Sequence, residues 1–402
     1  MTDHGIAIIG AGMIGAAHAS GYRSHIPRFL GVCPGLQLQI VCDAREELAR
    51  GLAKTYGVPE TAADWTTVMS DERIKIVSVC VPNFLHAEVV AAALAARKHV
   101  ICEKPLALSA AEARRLYLQA EHAGVSAATV FNYRRFPAVT EVKRLIEGGE
   151  IGRPVHLAIQ YQSDYAADPL LPHSWRYVKA LAGPGALLDV GTHAIDVARY
   201  LCGDIEKVVG ALKTTTISSR GVALAATAGH SHAPLSGEMR AVDNDDVTSA
   251  LLLFQNGCQG TFSASRVAVG LGNTLSFMVS GTEGTVRFNS AVPGEYHIAK
   301  RDGVRPGSFS VVGNRPASPF ISEYLPVPHD GVAVGYAEVF GFMIAEFLES
   351  IATGKPIKGG TLFDGVQAVN ALEAIQLSAE EGRPIMLTEV ERAAHTGSGA
   401  ST

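Results

Sequence analysis

The sequence predicts an α/β domain built on a doubly wound parallel sheet, followed by an α+β domain with a largely antiparallel open sheet. Three observations carry that expectation. Short apolar runs alternate with helix-length stretches as far as residue 131. Glycines cluster directly after the first apolar run, at Gly10, Gly12 and Gly15. Beyond Gly152-Arg153-Pro154 the texture changes to period-two alternation broken by hairpin turns. Strands alternating with helices imply parallel pairing, because each return to the sheet needs a crossover. Alternation with tight turns implies antiparallel pairing. The boundaries that follow are 1–131, 132–395 and a flexible tail at 396–402.

Composition narrows the class further. The 402 residues suffice for two or three domains, and 47% hydrophobic with 18% charged residues is ordinary for a globular chain. A formal net charge of −5 leaves no electrostatic footprint for nucleic acid. The six cysteines are scattered, without a Cys-x-x-Cys pair, as suits small buried hydrophobes in a reducing compartment. Residues 6–17 lack the basic leader of a signal peptide, and no run reaches the roughly 18–20 apolar residues that span a bilayer. A soluble cytoplasmic protein is the expectation.

In the first third, Ile6–Ile9 reads as a strand, Gly10-Ala11-Gly12-Met13-Ile14-Gly15 as a turn, and the stretch to about Ile26 as a helix. This is the context that G-x-G-x-x-G requires of a dinucleotide-binding Rossmann domain. Gly10 permits the tight turn, Gly12 the approach of a pyrophosphate, and Gly15 the packing of helix on strand. Free N–H groups at the helix start then face the phosphates. The next strand alternates through Leu36, Leu38 and Ile40 and ends at Asp43, placed to accept hydrogen bonds from ribose hydroxyls. A carboxylate there repels a 2′-phosphate, so NAD is the expected cofactor. Arg45, two residues on, keeps NADP as the alternative. The gap from Gly15 to Asp43 exceeds the usual ~20 residues, which an extended loop around Phe29–Pro34 would absorb.

Ile74–Val81 is a nearly continuous apolar run, ending at Pro82-Asn83-Phe84-Leu85-His86 before a helical stretch at Ala87–Arg97. His99–Cys102 is the next strand and leads into Glu103-Lys104-Pro105. A helix at Ala110–Ala123 and a strand at Ser126–Phe131 end at Asn132-Tyr133-Arg134-Arg135. Gly10, Asp43, Asn83, Lys104 and Asn132 thus all follow strands, where parallel sheets bind ligands.

In the second part, strands are expected at Val155–Tyr161, Val247–Phe254, Gly260–Ser265, Thr274–Ser280 and Thr285–Asn289, with Asn256-Gly257 as a hairpin turn. Thr214–Asp245 and Arg305–Val334 read as irregular loops, and Tyr336–Ile351 and Gly365–Ala379 as helices. His230 and His232 have a spacing open to a metal, though a solvated loop explains them as well, and no metal is expected. From Asp189 onward the pattern is helical, placing Asp189, His193 and Asp196 at i, i+4 and i+7 on one face. A carboxylate one turn from an imidazole suits proton transfer. Asp189 as a helix N-cap, with His193 as a packing residue, accounts for the same pattern. Upstream, Asp164-Tyr165 and His173-Ser174-Trp175-Arg176-Tyr177 mix aromatic and hydrogen-bonding groups, as sugar sites and ordinary interfaces both do.

Taken together, Gly10–Gly15, Pro82-Asn83 with His86, Glu103-Lys104-Pro105, Asn132-Tyr133-Arg134, Gly152-Arg153-Pro154 and Asp189 with His193 resemble the Gfo/Idh/MocA oxidoreductases. That family includes glucose–fructose oxidoreductase and the inositol dehydrogenases, and the resemblance spans nearly the whole chain. The run from Asp164 to Arg176 is similar to that of levoglucosan dehydrogenase-like sugar dehydrogenases. The resemblance implies an NAD(P)-dependent dehydrogenase of a sugar, anhydrosugar, glycoside or cyclitol. In it Lys104 contacts substrate and takes part in proton transfer, His193 is the acid/base, and Asp189 bonds the substrate or orients His193. It further implies cofactor contacts from Met13, Ile14, Pro82, Asn83, His86, Glu103, Lys104, Asn132, Trp175 and Arg176. Substrate contacts are implied for Tyr133, Gln162, Asp164 and Trp175, and a homodimer or homotetramer through the second-domain sheet is expected. Two rivals are an NAD-dependent glycosidase working by transient oxidation and a non-catalytic sugar or nucleotide sensor.

Overall fold

The computed structural model describes residues 4–225, 229, 231–332 and 334–397. Its Cα packing groups the chain into two units, one running to Asn132 and including Tyr336–Val369, the other comprising Tyr133–Gly335 and Asn370–Thr396. The sequence boundaries place everything from 132 to 395 in the second domain. The difference lies chiefly in the helix that begins at Tyr336.

The first unit opens with β1 (His4–Ile9), α1 (Met13–Phe29), β2 (Leu36–Cys42), α2 (Glu46–Tyr56), β3 (Glu60–Ala62) and α3 (Trp65–Ser70). It continues through β4 (Ile74–Val79), α4 (Asn83–Ala95), β5 (His99–Cys102), α5 (Ala110–Ala123) and β6 (Ala127–Thr129). The strands pair in parallel in the order β3-β2-β1-β4-β5-β6. The order reverses between β1 and β4, which makes their carboxyl ends the crevice for a ligand. Ile6, Ile8, Ile76, Val77, Val100 and Ile101 are fully buried, as strands covered on both faces require. Two helices depart from expectation. α1 runs three residues past Ile26 to Phe29, so the surplus before Asp43 is part helix and part loop. α4 begins at Asn83 with Pro82 as its N-cap, so Asn83 and His86 are helical rather than part of a preceding turn. Proline's fixed φ and missing N–H suit it to that boundary.

In the second unit, α6 (Pro137–Glu147) leads into β7 (Pro154–Ser163), then α7 (Lys179–Ala182), α8 (Gly185–Asp189) and α9 (Gly191–Cys202). Next come β8 (Ile205–Thr214), β9 (Ser219–Ala223), β10 (Leu235–Ala241), β11 (Val247–Phe254) and β12 (Gln259–Ser265). β13 (Asn273–Gly281), β14 (Gly284–Asn289), β15 (Glu295–Asp302), β16 (Arg305–Pro306), β17 (Ser310–Gly313) and α10 (Ile321–Tyr324) follow. The large sheet has the order β16-β15-β14-β13-β7-β12-β11-β8, with the short strand Ile385–Met386 paired beyond β8, and β7–β12 is a parallel pair among antiparallel neighbours. The expected hairpin at Asn256-Gly257 joins β11 and β12, with Gly257 at φ 82°. Both expected loops contain strands: β9 pairs with β10 inside Thr214–Asp245, and β17 pairs with β15 inside Arg305–Val334. Gly and Ala weaken strand propensity in β9 and β10, so pairing rather than local sequence makes those two strands.

The chain ends with α11 (Tyr336–Thr353), α12 (Leu362–Glu381), β18 (Ile385–Met386) and α13 (Leu387–Thr396). Helix α11 belongs to the first unit because its apolar face completes that core. Phe340, Met343, Ile344, Phe347 and Leu348 cluster with Ile6, Tyr22, Ile26, Leu38 and Val41. Small residues let the helices close: a Cβ at Gly21 of α1 would meet Ile344, and one at Gly341 would meet His25. The tail expected from 396 lies, beyond Gly397, outside the described residues.

Candidate active site

In the first unit, the glycine turn has the geometry a dinucleotide needs. Gly10 has φ 104°, and a Cβ there would clash with the carbonyl of Cys80, where β4 ends. A Cβ on Gly15 would strike the carbonyl of Gly10, so the start of α1 lies directly on the turn. At Gly12 a Cβ would meet nothing within 4 Å, which leaves the space that a pyrophosphate would fill. Met13, 73% exposed, and half-buried Ile14 begin the helix beside that opening.

Asp43 closes the far side of the turn. One carboxylate oxygen accepts the Ala11 N–H at 2.8 Å, and the other accepts the Arg45 N–H at 2.9 Å. Arg45 is exposed and N-caps α2. Asn132 follows the last parallel strand and is fully buried. Among the described residues, neither its amide oxygen nor its amide nitrogen finds a hydrogen-bond partner. Buried polar groups are nearly always satisfied, so this amide has hydrogen-bonding capacity left for a group brought by a ligand. The open Gly12, the N–H groups at the α1 start and Asn132 all fit a nicotinamide dinucleotide.

Glu103-Lys104-Pro105 follows β5. Two residues implied as cofactor contacts have hydrogen-bond partners within the unit. His86 is 1% exposed, with Nδ1 at 2.6 Å from the Pro105 carbonyl and Nε2 at 2.9 Å from that of Val81. Its ring therefore ties the end of β4 to the Lys104 turn, and burial holds its pKa below the ordinary histidine range. Glu103 is 6% exposed, and its carboxylate meets His18 Nε2 at 3.1 Å. The preceding apolar run hides this: both side chains point into the unit, which one-dimensional spacing cannot register.

In the second unit, the expected single helix is broken. Asp189 ends α8, Val190 is the junction, and Gly191 begins α9. Asp189 is not an N-cap, since the α9 cap is Val190 without a side-chain hydrogen bond. Instead its Oδ2 accepts the Tyr165 hydroxyl at 2.5 Å. Burial first, then the Asp189 charge, pushes the Tyr165 hydroxyl well above the ordinary tyrosine range, so it stays a donor. Tyr165 sits inside the aromatic run that stands out in the sequence, but nothing local marks its partner.

His193 is 4% exposed on α9. Its ring lies 4.9 Å from that of Tyr133 and 5.9 Å from that of Tyr161, the latter stacked. The two tyrosine hydroxyls meet at 2.8 Å, so Tyr133 and Tyr161 form a fixed aromatic wall for the imidazole. Asp196 serves a different purpose. Arg134 grips it through two hydrogen bonds, of 2.8 and 2.5 Å, with both side chains buried. That fork pins the turn bearing Tyr133 to the helix bearing His193. Gln162 on β7 donates to Ser263 at 3.4 Å, and Asp164 accepts the Gly270 N–H at 3.3 Å. The Arg176 guanidinium lies 4.5 Å over the Trp175 ring. His232 lies 3.4 Å from Asp168, while His230 is outside the described residues. Among the described residues no group of three metal-ligating side chains occurs.

Two family models match the chain: the oxidoreductase family with an NAD-binding Rossmann fold over residues 4–131, and the GFO/IDH/MocA C-terminal domain over 139–287. The chain belongs to the Gfo/Idh/MocA oxidoreductases. Among curated relatives of this family, levoglucosan dehydrogenase of Pseudarthrobacter phenanthrenivorans is 35% identical over 94% of this chain and 97% of its own length. Myo-inositol 2-dehydrogenase of Thermotoga maritima is 27% identical over 96% of this chain and 99% of its length. The solved complex of levoglucosan dehydrogenase with NADH and levoglucosan superimposes with a TM-score of 0.86 at 35% identity, covering 96% of this chain and 99% of that one. This Gfo/Idh/MocA protein is therefore an oxidoreductase whose N-terminal domain binds NAD. Among the described residues no helix is long and apolar enough to cross a membrane.

Proposed function

We propose that the protein oxidises a secondary hydroxyl of a sugar, anhydrosugar, glycoside or cyclitol, with an anhydrosugar of the levoglucosan kind first among them. The observation that carries this is the near full-length likeness to levoglucosan dehydrogenase, with Lys104, Asp189 and His193 all present. NAD, when bound, accepts the hydride from the carbinol carbon. The chain supplies position and proton transfer. The hydroxyl proton leaves to His193 or Lys104, and Asp189 orients His193 or holds a neighbouring hydroxyl. Tyr165 keeps Asp189 in one rotamer, and the Tyr133–Tyr161 wall keeps the imidazole in one plane. Gln162, Asp164 and Trp175 offer the mixture of polar rim and apolar face that a sugar ring fits. Asp43 selects NAD over NADP by charge.

A panel of sugars, anhydrosugars, glycosides and inositols, read by nicotinamide absorbance with NAD and NADP, tests the reading. Turnover of at least one anhydrosugar or cyclitol is expected, and Lys104→Ala should lower kcat by about 10²–10⁴ with dinucleotide affinity kept. Glycoside cleavage without net NADH, or no turnover with cofactor bound, overturns it.

We further propose a homodimer or homotetramer through the sheet of the second unit. Leu212 is 78% exposed, Leu251 53% and Met278 38%, beside a depression of about 1060 Å³ on that sheet. A second copy covering this face would bury them.

A further inference from the structure

We propose that His18, acting through Glu103, is a positioning residue for Lys104; this rests on Lys104 being a proton-handling residue of the reaction. His18 lies on α1, fully buried, three residues beyond Gly15. Its Nε2 is 3.1 Å from Glu103 Oε1, and its Nδ1 is 3.2 Å from Ser78 Oγ. Tyr22, one turn on and also fully buried, meets the same Ser78 Oγ at 2.8 Å.

With His18 neutral, donor and acceptor inventories give this chain one direction. A carboxylate only accepts, so Nε2 carries the proton toward Glu103. The neutral ring then accepts at Nδ1 from the Ser78 hydroxyl, whose oxygen in turn accepts from Tyr22. Burial raises the Tyr22 hydroxyl above the ordinary tyrosine range, so it remains a donor. Every group is used once, with no clash of donors, and such satisfied buried networks are rigid.

The network ends at the lysine. Glu103 Oε2 accepts the Lys104 N–H at 3.3 Å, and the Glu103 N–H donates to Val79 of β4 at 2.9 Å. On the other side, His86 holds the Pro105 carbonyl at 2.6 Å. Lys104 is thus bracketed, with His18 fixing the residue before it and His86 the residue after. The helix that begins at the pyrophosphate turn also carries His18, so cofactor seat and lysine share one rigid element.

The test combines amide hydrogen exchange with kinetics on the full chain. His18→Phe keeps a ring but removes both hydrogen bonds. It should speed exchange at Glu103, Lys104, Leu106 and Ala107 by about tenfold or more, leave the NADH dissociation constant within about threefold, and lower kcat by about 10–100-fold, the range of other second-layer hydrogen bonds. Glu103→Gln should match it, and the double variant should lose no more than either alone. Unchanged exchange at these amides in His18→Phe overturns the proposal, as do additive losses in the double variant. If His18→Phe does not fold, His18→Gln and Glu103→Gln carry the same comparison. Because the exchange readout needs no substrate, failure of the sugar-dehydrogenase reading shows separately, as absent wild-type turnover.

Discussion

Single hydrogen bonds decide the chemistry at the residue scale. Tyr165 donates to Asp189 at 2.5 Å, and a bond to a charged group contributes about 1.5–3 kcal/mol. At 1.4 kcal/mol per tenfold, Tyr165→Phe should lower kcat by about 10–100-fold while the melting temperature stays within a few degrees. A variant with wild-type kcat would remove Tyr165 from the machinery. Asp43 accepts the Ala11 N–H, and its proposed second role is to exclude a 2′-phosphate. Asp43→Ala should therefore raise KM for NAD by about tenfold or more and erase the preference over NADP. An NAD preference that survives the substitution would move the selectivity elsewhere.

Elements are held in place by pairs whose worth depends on burial. Arg134 and Asp196 are both under one-tenth exposed, so removing one leaves a charge stranded. Asp196→Ala should cost about 3–5 kcal/mol in denaturant unfolding. The exposed Arg50–Glu46 pair on α2 is the control, and Glu46→Ala should cost less than about 1 kcal/mol. Equal losses would mean that the Arg134–Asp196 fork is not what anchors the Tyr133 turn. At this scale the strand–helix alternation was legible because period and length are local properties: β5, α5 and β11 fall where the pattern puts them. β9 and β10 were not, because their residues have little strand propensity and become strands only by pairing. The break at Val190 was invisible for a related reason. Asp189, His193 and Asp196 have helical spacing whether or not the helix is continuous.

For the whole molecule, buried and half-buried histidines contribute to the response to mild acid. Burial pushes His25, His86 and His99 below the ordinary histidine range, His25 to about 4, with Arg28 adding to that effect. In the unfolded chain they take up protons near 6.5. Folding thus favours their neutral forms. This stability is complete above about pH 6.5 and is lost as pH falls toward the folded values. Thermal melts should show a lower midpoint at pH 5.5 than at pH 8, and a flat or rising midpoint would contradict the assignment. Assembly belongs to the same scale. Leu212→Glu, on the exposed face of β8, should leave the monomer folded and reduce the mass seen in analytical ultracentrifugation. An unchanged assembly would move the interface off this face.

By itself the sequence determined the class of fold, the dinucleotide turn, the acidic end of β2 and the family, because each is written in short contiguous motifs. Lys104 could be singled out as a candidate for the same reason. Only the tertiary structure decided what surrounds it. Glu103 meets a histidine 85 residues away, Asp189 a tyrosine 24 residues away, and α11 returns to a core begun at Ile6. Those partners are set by burial, which selects pairs by proximity in space and leaves no period along the chain.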